Sequence, residues 1–222
     1  MKFKIFFVLF LVFSITLFSQ NKSDLGIVLG GSYYMGDINP TIPFYSPSIS
    51  GGILYRYNVN KRYVFKGEIN YLQTKASDFD FTDPYRTGRA KNFSSSLYDI
   101  SAQFEFNFLP LKFEARKIGF TPFVSSGLAM AYIMNNQYVK SINLVFPFAL
   151  GIKTSIGEKW CLGFQWNFRK MFTDKFDGIV NPIEKKYNSS FNNNDWYSFA
   201  GIFLTYKMFD YSGDCPAYKD SY

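Results

Sequence analysis

Glu68, Asp99 and Glu105 are the side chains of this sequence with the strongest claim to chemistry. Each stands in the polar phase of a stretch whose other phase is bulky and apolar, as in "SLYDISAQFEFNF" (Ser96–Phe108). A carboxylate held in such surroundings can give or take a proton in a reaction. The same phase of neighbouring stretches carries Arg56, Lys66, Lys153 and Arg169. Four cations and three carboxylates sharing one interior have a simpler use, mutual ion pairing, and a salt-bridge network is the reading adopted for all seven. The chain of 222 residues contains no His. That removes the commonest general base and metal ligand and closes the route to a His-activated nucleophile. No Walker-type or dinucleotide-binding glycine pattern is visible; Gly30–Gly31 and Gly51–Gly52 read as strand bends or points of close packing. The expectation is a protein with no catalytic residues, no cofactor and no metal. Cys161 and Cys215 are the only thiols. A disulfide that ties the C-terminal segment into the body of the protein and two independent thiols both fit the sequence.

The elements that must position these residues show in "FPFALGIKTSIGEKWCLGFQWNFRK" (Phe146–Lys170), where every second residue on either side of "IGEK" is large and apolar. A period of two marks half-buried strands. Eight such stretches follow one another. They are Asp24–Tyr34, Ser48–Asn58, Tyr63–Thr74, Ser96–Phe108, Phe120–Ile133, the two arms of the hairpin just quoted, and Asp195–Met208. Long connections (Met35–Pro47, Lys75–Ser95, Met171–Asn194, and the somewhat shorter Met134–Asn143) alternate with "VNKR", "LPLKFEARKIG" and "GEK". Eight up-and-down strands with long loops at one end make an all-β antiparallel barrel of the outer-membrane type. Residues 1–19 read as a secretory signal: Lys2 and Lys4 precede the apolar run Ile5–Phe18, and Ser19 offers a small residue for cleavage. That run is shorter than the roughly 20 residues of a spanning helix. The expected organisation is a signal at 1–19, a barrel over 20–209 and a tail at 210–222.

Period alone does not say which face is inside. One face carries Leu144, Phe146, Phe148, Leu150 and Ile152, then Trp160, Leu162, Phe164, Trp166 and Phe168. An eight-stranded interior is just wide enough to be filled by side chains and has no room for so many rings. The other face is small (Gly52, Ser101, Ala149, Gly151, Gly163) and holds the seven charges. Turning a basic residue to mid-bilayer costs about 2–4 kcal/mol, whereas paired charges at ~4 Å attract by about 4 kcal/mol at an effective dielectric of 20, against a desolvation cost of several kcal/mol per ion. The rings therefore face lipid and the charges face inward, in preference to a soluble ligand-binding barrel or a soluble sandwich. A lumen filled this way leaves no pore.

The short-turn end is basic, with Lys61, Arg62, Lys112, Arg116, Lys117 and Lys159 against Glu114 and Glu158. These read either as solvated turns beside anionic headgroups or as a docking face for a partner; nothing points to nucleic acid. Several stretches taken in order resemble the PorG-like outer-membrane barrels of Bacteroidetes: "GGSYYMGDINP" (Gly30–Pro40), "LYRYNVNKRYVFKGEINY" (Leu54–Tyr71), "FTPFVSSGLAMAY" (Phe120–Tyr132), "PFALGIKTSIGEKWCLGFQWNFRKMFTD" (Pro147–Asp174), "NDWYSFAGIFLTYK" (Asn194–Lys207) and the terminal "CP" (Cys215–Pro216). The resemblance covers nearly all of the chain after the signal. It implies an outer-membrane component of the type IX secretion system that binds and stabilises the periplasmic PorK–PorN ring, with the short turns and C-terminus periplasmic, and a role in gliding in motile species. It brings no catalytic residues. The rival expectation is a surface barrel whose long loops bind an external ligand or host surface.

Overall fold

The computed structural model describes residues 23–35, 42–80, 92–111, 119–135, 141–172 and 195–208. Eight strands follow in chain order: β1 (Ser23–Met35), β2 (Ser48–Asn58), β3 (Tyr63–Ser77), β4 (Asn92–Asn107), β5 (Phe120–Asn135), β6 (Ser141–Ile156), β7 (Trp160–Met171) and β8 (Trp196–Lys207). Each pairs antiparallel with its neighbour in sequence, and β8 returns to β1, so the sheet closes into a barrel. The seam runs from Asp24 opposite Lys207 to Met35 opposite Trp196. Closure gives every strand two hydrogen-bonding neighbours, which is what lets a sheet sit in hydrocarbon.

Period-two patterning decides the faces. On β6, Leu144, Phe146, Phe148, Leu150 and Ile152 point out and are exposed, while Val145 and Ala149 are buried between them. The outer wall continues through Ile27 and Leu29, Ile53, Phe65 and Ile69, Ile100 and Phe104, Leu128 and Met130, and Ile202 and Leu204, all exposed. Soluble monomers rarely expose contiguous apolar patches beyond a few hundred Å²; an apolar wall around a closed sheet belongs in a bilayer. Tyr71 and Tyr98, with ring centroids 5.2 Å apart, sit opposite each other, and Tyr132 follows in register on β5. Nearer the short turns, Tyr63 packs on Phe104 and Phe106, and Trp160 on Tyr206. Tyr63 and Tyr71 lie at two levels of β3, roughly 20 Å apart along a barrel axis tilted ~40° to the strands, close to the height of an apolar band between aromatic girdles.

Three features differ from the alternation read in the sequence. The β3–β4 ladder runs on to Ser77 opposite Asn92, so both ends of the segment expected as a long loop, Lys75–Ser77 and Asn92–Ser95, are strand. The lumen is not lined by small and charged residues alone, because Tyr34, Phe123, Tyr197, Phe199 and Phe203 are buried there too. Tyr33 stands in the outward phase of β1 yet is fully buried, because Phe44 folds back over it with ring centroids 4.8 Å apart.

Candidate functional site

The seven charges picked from sequence all point into the barrel, none more than 3% exposed. They form two tiers. In the tier nearer the long loops, Arg169 of β7 stands between Glu68 of β3 and Asp99 of β4. Its Nη2 donates to Glu68 Oε2 at 3.1 Å and its Nη1 to Asp99 Oδ1. The Tyr197 hydroxyl donates to the second Asp99 oxygen at 2.7 Å, and Gln165 Nε2 to Glu68 Oε1 at 3.0 Å. Both carboxylates thus have partners on both oxygens, the condition for burying an ion whose desolvation costs several kcal/mol.

The tier nearer the short turns is richer in cations. Glu105 accepts from Arg56 Nε at 3.1 Å and from Lys153 Nζ at 2.5 Å. Lys66 Nζ lies 3.2 Å from Glu68 Oε1 and so links the tiers. Rings supply what the single carboxylate does not: the Arg56 guanidinium lies 4.3 Å over Phe203, and Lys66 and Lys153 lie 5.7 and 5.4 Å from the Phe123 centroid. The negative face of an aromatic ring attracts such cations, more strongly when both are out of water. Two glycines make room for the rings. A Cβ on Gly151 would come within 2.4 Å of Phe123 Cζ, and one on Gly163 within 2.3 Å of Phe203 Cζ.

Sequence reading missed one charged member of these two tiers. Asp24 on β1 is buried, faces Arg56 in the β1–β2 register and accepts from Asn58 Nδ2 at 3.0 Å. It brings the two tiers to four cations and four carboxylates; nearer the long loops Asp195, which accepts from the Tyr34 hydroxyl at 2.6 Å, and Asp78 are buried as well. The signal was present, since Leu25, Ile27 and Leu29 set the outward phase of β1 and leave Asp24 in the inward one. For Phe123, Phe203 and Tyr197 no such contrast exists, because both faces of their strands are partly apolar. Glu68, Asp99 and Glu105 thus have both oxygens engaged and side chains at most 1% exposed.

The basic rim is divided. Lys61 and Arg62 stand exposed on the β2–β3 turn, where Asn60 Oδ1 accepts from the amides of Arg62 and Tyr63 at 2.8 and 2.7 Å, a side-chain turn typical of Asn. Lys159 stands exposed on the β6–β7 turn, which Gly157 allows with φ +68°. Lys112, Arg116 and Lys117 lie outside the described residues. Cys161 faces the lumen near this end; its candidate partner Cys215 also lies outside the described residues.

At the opposite mouth, residues 42–47 grip the wall from both sides. Phe44 turns outward and stacks on Trp166 with centroids 5.5 Å apart. Tyr45 turns inward, donating its hydroxyl to Asp80 and receiving the Ser77 amide at 3.3 Å. Phe44 and Ser46 hold φ of 59° and 47°, the left-handed region that non-glycine residues seldom occupy. Partial burial, then the Asp80 carboxylate accepting from it, push the Tyr45 phenol up to about 12.

Among solved structures, the chain is similar in fold to Neisserial surface protein A (12% identity, 84% of this chain and 96% of that one, TM-score 0.46). It is also similar to the outer membrane protein OprG from Pseudomonas aeruginosa (7%, 85% and 98%, 0.47) and to Ail, the attachment invasion locus protein of Yersinia pestis (10%, 84% and 98%, 0.42). A search of curated proteins gave no match. A family profile covers residues 3–219, and the chain belongs to that family, described as a domain of unknown function, DUF6089.

Proposed function

We propose that this protein is a non-enzymatic, non-conducting anchor of the outer membrane, with its short turns and C-terminal tail in the periplasm, and that it holds the PorK–PorN ring of the type IX secretion and gliding machinery beneath the membrane. One observation carries the anchor reading. The lumen is occupied by a buried, mutually paired set of charges with rings packed among them, so the interior is a core and not a passage. Function then falls to the ends. The short-turn end presents Lys61, Arg62 and Lys159 to water, a charge pattern suited to steering and orienting an acidic partner face. The choice of partner rests on the resemblance of the segments quoted above.

The test is recovery of ring components with the tagged full-length protein. Reversing the charge of Lys61, Arg62, Lys112, Arg116, Lys117 and Lys159 together should cut recovery at least tenfold. Replacing residues 81–91, which join β3 to β4 in the chain, by a short turn should leave it unchanged. The reverse outcome would favour a surface barrel acting through its long loops. Deletion of the gene should in parallel reduce cargo secretion and destabilise the ring.

A further inference from the structure

The outer wall is not uniform. In one cross-strand row, Phe120 on β5, Thr154 on β6 and Leu162 on β7 are register neighbours, and in the next row Ile152, Phe164 and Ile202 follow. Thr154 is the small member, and its hydroxyl is turned away to donate to the Gly119 carbonyl at 2.9 Å. The result is a notch of about 250 Å³ with these six side chains around it and the backbone of Gly163 in its floor; its surface is almost wholly apolar. It opens along the wall and falls below the ~300–1,000 Å³ of a small-molecule pocket, so it suits a length of hydrocarbon chain.

Its depth says what the rest of the ligand carries. Leu162 follows the exposed Lys159 by three residues, about 10 Å of strand. Between them Trp160 packs edge-on against Tyr206 with centroids 4.9 Å apart, the kind of ring pair that sits at headgroup level. We infer that the notch seats an acyl chain of an anionic glycerophospholipid from the short-turn leaflet, with its phosphate at Lys159. The inference needs the barrel to span a bilayer and is independent of any ring partner.

A form with Trp160 as its sole tryptophan (Trp166→Phe, Trp196→Phe), reconstituted in phosphatidylcholine vesicles, tests it. Chain-brominated phosphatidylglycerol should quench Trp160 at a mole fraction roughly fivefold lower than chain-brominated phosphatidylcholine, the preference expected of one basic residue at an anionic surface. Thr154→Phe, which fills the notch, should abolish that preference, and Lys159→Ala should reduce it. Equal quenching by the two lipids would mean bulk bilayer contact only and would overturn the proposal. So would a preference that survives Thr154→Phe, since that places a headgroup at Lys159 without a seated chain. If the single-tryptophan form does not fold, the phosphatidylglycerol retained by the parent protein and by the Thr154→Phe variant, counted by native mass spectrometry, gives the same decision.

Discussion

The two tiers of the lumen bury charge by different means. In the upper one, a single guanidinium serves two carboxylates, and hydrogen bonds from Tyr197 and Gln165 engage the oxygens left over. In the lower one, Arg56 and Lys153 share Glu105, with Lys66 close by, and ring faces take part of the load. The upper tier is directional and turns on Arg169, the one residue that pairs with both of its carboxylates. The lower tier is diffuse, and Phe123, Phe203 and Asp24 spread its dependence over several.

That contrast is open to experiment, beginning where it should be sharpest. Arg169→Met leaves buried Asp99 without a cation and Glu68 with Lys66 as its remaining one, and should cost about 3–5 kcal/mol of stability, as expected when one member of a buried ion set is removed, read from unfolding in detergent or bilayer. Glu105→Gln leaves two cations without their carboxylate but beside rings and Asp24. Its loss should be smaller, about 2 kcal/mol; a loss equal to that of Arg169→Met would erase the distinction between tiers. Phe203→Leu, which removes the ring under Arg56 while keeping an apolar side chain, should cost about 1–2 kcal/mol. Its cost should grow in the Glu105→Gln background, because there the ring is a larger share of what holds Arg56. Strict additivity in that double-mutant cycle would show that ring and carboxylate act independently.

Much of this arrangement was legible in the strands with strong contrast between phases. β4, β6 and β7 set rings or branched aliphatics against Ser, Gln, Asn, Gly and charges, so the period of two suffices to turn Asp99, Glu105, Lys153 and Arg169 inward. β5 and β8 lack that contrast. In "FTPFVSSGLAMAY" the inward residue at one level is Phe123 and the outward one is Val124, and alternation cannot order two apolar residues. The β3–β4 extension was illegible for another reason. "KAS" and "NFSSS" stand beyond the apolar band, and their pairing is imposed by the ladder below them. The cover of Phe44 over Tyr33 joins segments by tertiary contact and left no trace in periodicity. Among the charged rim residues, the short connections "VNKR" and "GEK" between alternating strands located Lys61, Arg62 and Lys159, but spacing carries no information on what they touch.

The pairing of β8 with β1 fixes the order of assembly. Every other ladder joins neighbours in the chain and can form as a local hairpin, whereas this one joins Asp24 to Lys207 and Met35 to Trp196. The first strand must therefore wait, with one edge open, until the last arrives. Such a long loop closure is slow and yields no partial reward. A polypeptide that stopped before Trp196 would present two unsatisfied edges to hydrocarbon, so biogenesis should depend on a helper that shields the waiting edge until the ring of strands is complete.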